Sequence, residues 1–220
     1  MSRVLIFTRF ERFWHWTQAV LVFGLLFTGF ALHGTHAWIA YDTALRAHIV
    51  LAWSVIGLWA FAIFWHVTTG EWRQYVPTSR GLPVVALYYA YGIFSGETKP
   101  FVSTPAAKHN PLQRMAYFGF KAVLAPALWM SGLLLLFYAA WRPTALGAAL
   151  PLAWVAYVHV AAAFGLMVFL IGHIYMAATT GHPWYAYLKS MITGYNEAAV
   201  APPGAERDSY TPQVERRPEP

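Results

Sequence analysis

The sequence predicts an all-α integral membrane protein, a four-helix transmembrane bundle with both termini in the cytoplasm. Three observations predict it. Hydrophobic residues make up 58% of the 220 residues and charged residues 11%, where soluble domains carry about 25% charged residues. The charges are clustered, leaving uncharged stretches at 13–41, 47–70, 122–141 and 143–188, each at least as long as the roughly 20 residues a membrane helix needs. The basic residues are also unevenly placed. Arg3, Arg9, Arg12, Arg73, Arg80, Lys99, Lys108, Arg114, Lys121, Lys189, Arg207, Arg216 and Arg217 fall on one side of four spans, and only Arg46 and Arg142 on the other. That asymmetry puts both termini inside and explains the net charge of +6 as topology rather than as a nucleic-acid surface.

The first span reads as 13–32. It is too long for a signal sequence and lacks a small-residue cleavage site ahead of a hydrophilic chain, so it stays as a membrane helix. The second reads as 47–68 and the third as 116–140. The long stretch 143–188 is broken by Pro143, Gly147 and Pro151 at its start and by Thr179 to Pro183 at its end, which leaves one helix at 152–178. Trp14, Trp16, Trp65, Trp72 and Trp184 mark the inner boundary, and Trp38, Trp141 and Trp154 the outer one. Between spans two and three, the apolar segment 82–94 is too short to cross and reads as an interfacial helix. From Ala198 onward the composition turns to Pro, Glu, Arg and Ser, so 1–197 is the membrane domain and 198–220 a disordered cytoplasmic tail.

The chain has no cysteine, which excludes iron–sulfur ligation, thiolate nucleophiles and covalent attachment of c-type haem. Its nine histidines are therefore the chemical content, since polar groups in hydrocarbon are costly and usually functional. His33, His36, His109 and His182 fall in loops and read as solvated or interfacial. His159 and His173 are 14 residues apart on the fourth span, about 21 Å along its axis and about 40° short of full registry, and so share a face. His48 begins the second span from outside, level with His159; His15 begins the first from inside, level with His173. Two level-matched pairs are the arrangement that two stacked six-coordinate haems b require, with His48 and His159 on the outer iron and His15 and His173 on the inner one. His66 competes for the inner position but lies about 6 Å too far along; otherwise it is an interfacial histidine or a partner for a haem propionate. No depth gathers the three or four ligands zinc needs. Gly24, Gly29, Gly57, Ala161, Ala162, Ala163 and Gly165 suit close helix or porphyrin packing.

The segments Arg9-Phe-Glu-Arg-Phe-Trp-His15-Trp, Leu45-Arg-Ala-His48, Asn110-Pro-Leu-Gln113-Arg-Met, His159-Val-Ala-Ala-Ala and Gly172-His173-Ile-Tyr-Met closely resemble the cytochrome b (gamma) subunit of membrane-bound formate dehydrogenases. The resemblance runs over about 5–195. That family is similar to the b-type cytochromes of nickel–iron hydrogenases and thiosulfate reductases. It implies a four-helix subunit of the bacterial inner membrane with two haems b, ligated by the same four histidines. Electrons would come from a periplasmic iron–sulfur subunit and its catalytic subunit, and quinone would be reduced beside the inner haem at Asn110, Gln113 and His173. The formate dehydrogenase pattern has a Gly before the Gln, where Leu112 stands here as in hydrogenase-type cytochromes. The partner thus stays open between those three enzyme types. Asn110 also has a purely structural reading, as the cap of the third span ahead of Pro111. Lys121, the one formal charge inside a predicted span, either snorkels inward or contacts a propionate or quinone. A stand-alone dihaem quinone oxidoreductase is the second functional reading. A haem-free transporter is a third, against which stands the lack of Asp or Glu within any span.

Overall fold

The computed structural model describes residues 4–97, 99–101, 103–105, 107–181 and 183–196. The tail assigned to 198–220 and the loop histidine His182 lie outside the described residues. The chain is mostly helical, and four helices are long and apolar enough to cross a membrane: Arg9–Leu32, Tyr41–Thr69, Pro111–Leu136 and Leu152–Thr179. Their outward faces are apolar, with Val20 at 70% and Val168 at 68% exposure, as a lipid-facing surface requires. The described residues fall into two compact units, one comprising 4–73 with 189–196 and the other 74–188.

The first unit is a helix pair closed by a short strand. β1 (Val4–Leu5) leads to Thr8, which caps α1 (Arg9–Leu32). The Glu11 amide donates to Thr8 Oγ1 at 3.3 Å and the Thr8 amide donates to Glu11 Oε2 at 2.8 Å. This reciprocal box starts the helix four residues before the predicted 13, because a cap can satisfy the first-turn amides in spite of the nearby charges. α2 (Tyr41–Thr69) likewise starts earlier than 47, and it ends at Gly70, whose φ of +79° is open to glycine. The two helices approach closely at Gly24, where a Cβ would lie 2.9 Å from Leu51 Cδ1. Trp59 Nε1 donates across the pair to Gln18 Oε1 at 3.0 Å. β2 (Tyr195–Asn196) pairs antiparallel with β1, Val4 opposite Asn196 and Leu5 opposite Tyr195. Arg12 Nη1 and Trp16 Nε1 fasten the same segment by donating to the carbonyls of Ile192 and Met191 at 2.7 and 3.1 Å.

The second unit begins with α3 (Leu82–Gly92), the short apolar helix. Its Val85, Tyr88 and Tyr89 form a core with Met176. α4 (Pro111–Leu136) carries a π-helical turn at Phe120–Leu124. Pro126 follows it and has no N–H to give to the preceding turn, which loosens the ladder there. α4 starts at Pro111 rather than 116 because Asn110 caps it, and it ends at Leu136 rather than 140 because Phe137 leaves the helical region. Trp141 Nε1, on the short α5 (Tyr138–Trp141), then folds back to donate to the Leu134 carbonyl at 2.7 Å. After α6 (Ala145–Ala149) comes α7 (Leu152–Thr180), which meets α4 closely at Gly165: a Cβ there would lie 2.8 Å from Leu124 Cδ2. α8 (Ala186–Thr193) follows.

Candidate functional site

In the first unit His48 sits in the second turn of α2, half-buried against α1. Its Nδ1 lies 2.9 Å from Thr28 Oγ1, and that oxygen lies 2.8 Å from the Gly24 carbonyl. A carbonyl can only accept, so the hydroxyl proton goes to Gly24 and the oxygen accepts from Nδ1–H. The lone pair of His48 is then on Nε2. The next residue of α1, Gly29, makes room for the ring, since a Cβ there would come within 3.4 Å of His48 Cε1.

The second unit repeats this construction with different residues. His159 Nδ1 lies 3.0 Å from Ser131 Oγ, and Ser131 Oγ lies 2.5 Å from the Ala127 carbonyl one turn back. The same reasoning puts the proton on Nδ1 and the lone pair on Nε2. Gly132, immediately after Ser131, would place a Cβ 3.2 Å from His159 Cε1. Each unit thus holds one imidazole by a hydroxyl residue followed by glycine on the neighbouring helix. Of these four positions only Gly29 was singled out from the sequence. The signal was present as Thr28-Gly29 and Ser131-Gly132 in otherwise apolar helices.

At the other end of each helix pair the histidines sit among aromatic rings. His15, half-buried in the second turn of α1, meets Trp16 edge-on at 5.1 Å. His173 on α7 lies parallel to Phe169, centroids 6.0 Å apart and planes within 11°, with Tyr117 Oη 3.5 Å from its Nδ1. His66 packs inside the first unit. It is 7% exposed, its Nδ1 donates to the Ala62 carbonyl at 2.6 Å, and its ring abuts Trp14, the residue before His15.

Asn110 and Gln113 come together as a capping box. The Gln113 amide donates to Asn110 Oδ1 at 2.8 Å and the Asn110 amide to Gln113 Oε1 at 3.0 Å. Asn110 is 2% exposed, with its Nδ2 at 3.5 Å from Tyr89 Oη. Lys121 Nζ lies over the Tyr75 ring, 3.4 Å from the centroid, a cation–π contact rather than a solvated amine. His109, expected to be solvated or interfacial, is packed 5.1 Å from Tyr75 and 5.0 Å from Tyr117. Burial, reinforced by the charges of Lys108, Lys121 and Arg114, pushes its pKa down to about 3 and keeps it neutral. In the loop after α1, His36 lies between Phe27 and Trp38 at 4.8 Å from each ring, and exposed His33 caps α1.

Residues 6–194 match the family model described as prokaryotic cytochrome b561. The chain belongs to the prokaryotic cytochrome b561 family. It is 31% identical over 205 residues, 89% of this chain and 75% of the relative, to the protein named "Putative cytochrome YdhU" of Escherichia coli (strain K12). No solved structure matches the chain. Membership identifies a multi-pass membrane b-type cytochrome whose work is electron transfer with haem b. The donor set fits that group. A haem iron takes a neutral imidazole nitrogen whose ring partner is held by a second group, and this is how Thr28 and Ser131 hold His48 and His159. Among the described residues no three His, Asp or Glu side chains gather in a metal-binding group.

Proposed function

We propose that this cytochrome is the membrane subunit of an oxidoreductase complex, carrying electrons between a partner on the outer face of the bacterial inner membrane and membrane quinone. In this reading two haems b sit in a four-helix bundle, the outer held by His48 and His159 and the inner by His15 and His173. The observation that carries it is the pair of histidines at opposite ends of the unbroken helix α7. His159 is gripped by Ser131 and His173 is flanked by Phe169 and Tyr117, about 21 Å apart along the axis. His48 and His15 stand at opposite ends of the other helix pair, α2 entering where α1 leaves. Haem b supplies reversible one-electron chemistry when bound. The protein contributes ligation, spacing and an apolar surround.

The inner end has the groups quinone needs. Asn110 and Gln113 fix the first turn of α4, and His173, Tyr117, His109 and Lys121 supply hydrogen-bonding side chains in the same unit. A neutral His109 can donate one hydrogen bond and accept another. The positive-inside distribution supports a cytoplasmic position for this end and both termini, and in this reading the protons for quinone reduction come from there. The resemblance to formate dehydrogenase gamma subunits supports a formate dehydrogenase-like iron–sulfur and catalytic partner; a hydrogenase or thiosulfate reductase partner uses the same membrane machinery. The test is purification from native membranes. Two haems b per chain, a co-purifying iron–sulfur subunit and haem oxidation by a quinone analogue are expected; a pigment-free protein would overturn the reading.

A further inference from the structure

We infer that Thr28 and Ser131 are positioning residues for the outer haem, setting the tautomer and basicity of His48 and His159 and thereby lowering the potential of that haem. The inference rests on the haem ligation proposed above and extends it to two residues that do not touch the iron. Three features of the geometry support it. Each hydroxyl is within hydrogen-bond distance of an imidazole Nδ1, at 2.9 Å for Thr28 with His48 and 3.0 Å for Ser131 with His159. Each is also committed as a donor to a carbonyl of its own helix, Gly24 at 2.8 Å and Ala127 at 2.5 Å, so toward the imidazole it can act only as acceptor. Each is followed by a glycine whose missing Cβ leaves space for the ring it holds, 3.4 Å from His48 Cε1 and 3.2 Å from His159 Cε1.

A hydroxyl in the middle of an apolar helix usually ends its role with the bond to its own backbone. Here the back-bond has a second effect. By engaging the hydroxyl hydrogen it leaves the oxygen to act as acceptor, and Nδ1–H donation to that oxygen raises electron density on the imidazole. A more basic ligand favours ferric over ferrous iron, so the outer haem becomes easier to oxidise.

The test is redox titration of the purified full-length protein, with the outer haem assigned as the wave absent from His48→Ala. Thr28→Val and Ser131→Ala should keep two bis-histidine, low-spin haems, yet each should favour the reduced outer haem by about tenfold in equilibrium constant, a rise of about 59 mV for one electron. The inner wave should not move. Thr28→Ser and Ser131→Thr should restore the wild-type value. Ser54→Ala removes a hydroxyl that back-bonds to the Val50 carbonyl at 2.8 Å, and it should leave both waves unchanged. An unmoved outer wave in Thr28→Val and Ser131→Ala would overturn the inference. If Thr28→Val loses the haem, retention in Thr28→Ser supports the hydroxyl's role and loss in both overturns it. A wild-type protein without haem would overturn the ligation reading and this inference together, whereas a haem-replete protein with unmoved potentials would overturn this inference alone.

Discussion

Asn110 and Gln113 each accept the other's backbone amide proton, at 2.8 and 3.0 Å, and together close the first turn of α4. Two side chains that the family resemblance assigns to quinone are therefore also the helix start. Asn110→Ala should cost about 1 kcal/mol of stability by removing the cap. If the same turn borders quinone, both Asn110→Ala and Gln113→Ala should leave the haems reducible but slow their reoxidation by a quinone analogue at least about tenfold, roughly 1.4 kcal/mol in the barrier. Stopped-flow reoxidation measures this. A fall in melting temperature with unchanged reoxidation would reduce the pair to a cap and shift attention to Lys121 and His66.

The ligand assignment predicts a pattern of haem loss. Pyridine haemochrome assays should find two haems per chain in the wild type and one in His48→Ala, His159→Ala, His15→Ala and His173→Ala. His66→Ala should keep two. This control matters because buried His66 donates from Nδ1 to the Ala62 carbonyl, the tautomer a ligand would also have. Loss of a haem in His66→Ala with retention in His15→Ala would reassign the inner iron.

The two glycines beside the outer histidines should differ in tolerance. An alanine Cβ at 132 would sit 3.2 Å from His159 Cε1, and at 29 it would sit 3.4 Å from His48 Cε1. Overpacking of this kind costs about 1–3 kcal/mol where neighbours cannot yield. Gly132→Ala should thus lose more outer haem on purification than Gly29→Ala. Equal occupancy in the two variants would show that His159 moves aside freely.

His109 should make the protein acid-sensitive. Its folded pKa is pushed to about 3, chiefly by burial, while an unfolded chain titrates near 6.5. Between those values the unfolded state binds a proton that the folded state does not, so stability falls as pH falls from about 6.5 toward about 3. Melting in detergent at pH 7 and pH 5 should show a smaller drop for His109→Gln than for the wild type. Identical drops would place the acid sensitivity in other groups.

Much of the fold was legible because hydropathy and length decide a membrane helix with little help from tertiary contacts. The ends were less so. The charges at Arg9, Arg12 and Arg114 argued for later starts, but Thr8 with Glu11 and Asn110 with Gln113 close their first turns regardless. β1 and β2 escaped notice since two-residue strands have no period to detect. Among site residues, the four histidines stood out because ionisable groups in apolar helices are rare. Thr28 and Ser131 did not, because only the helix beside them shows that the oxygen faces an imidazole. Nor does the sequence show that the His66 ring packs on Trp14, a contact made across two helices.

The pairing of β1 with β2 also bears on how the protein is made. The amides of Ile6 and Phe7 find their acceptor in the carbonyl of Gly194, at 2.9 and 3.1 Å, and Arg12 and Trp16 find theirs at Ile192 and Met191. At about 5–20 residues per second, the ribosome needs on the order of 10 s to travel from Arg73 to this segment. For that interval α1 and α2 lack these contacts, which close the first helix pair only once residues 191–194 have emerged. A nascent chain stalled before residue 190 would leave those four donors without these carbonyls, so the N-terminal strand depends on the distant 191–194 segment for its partners.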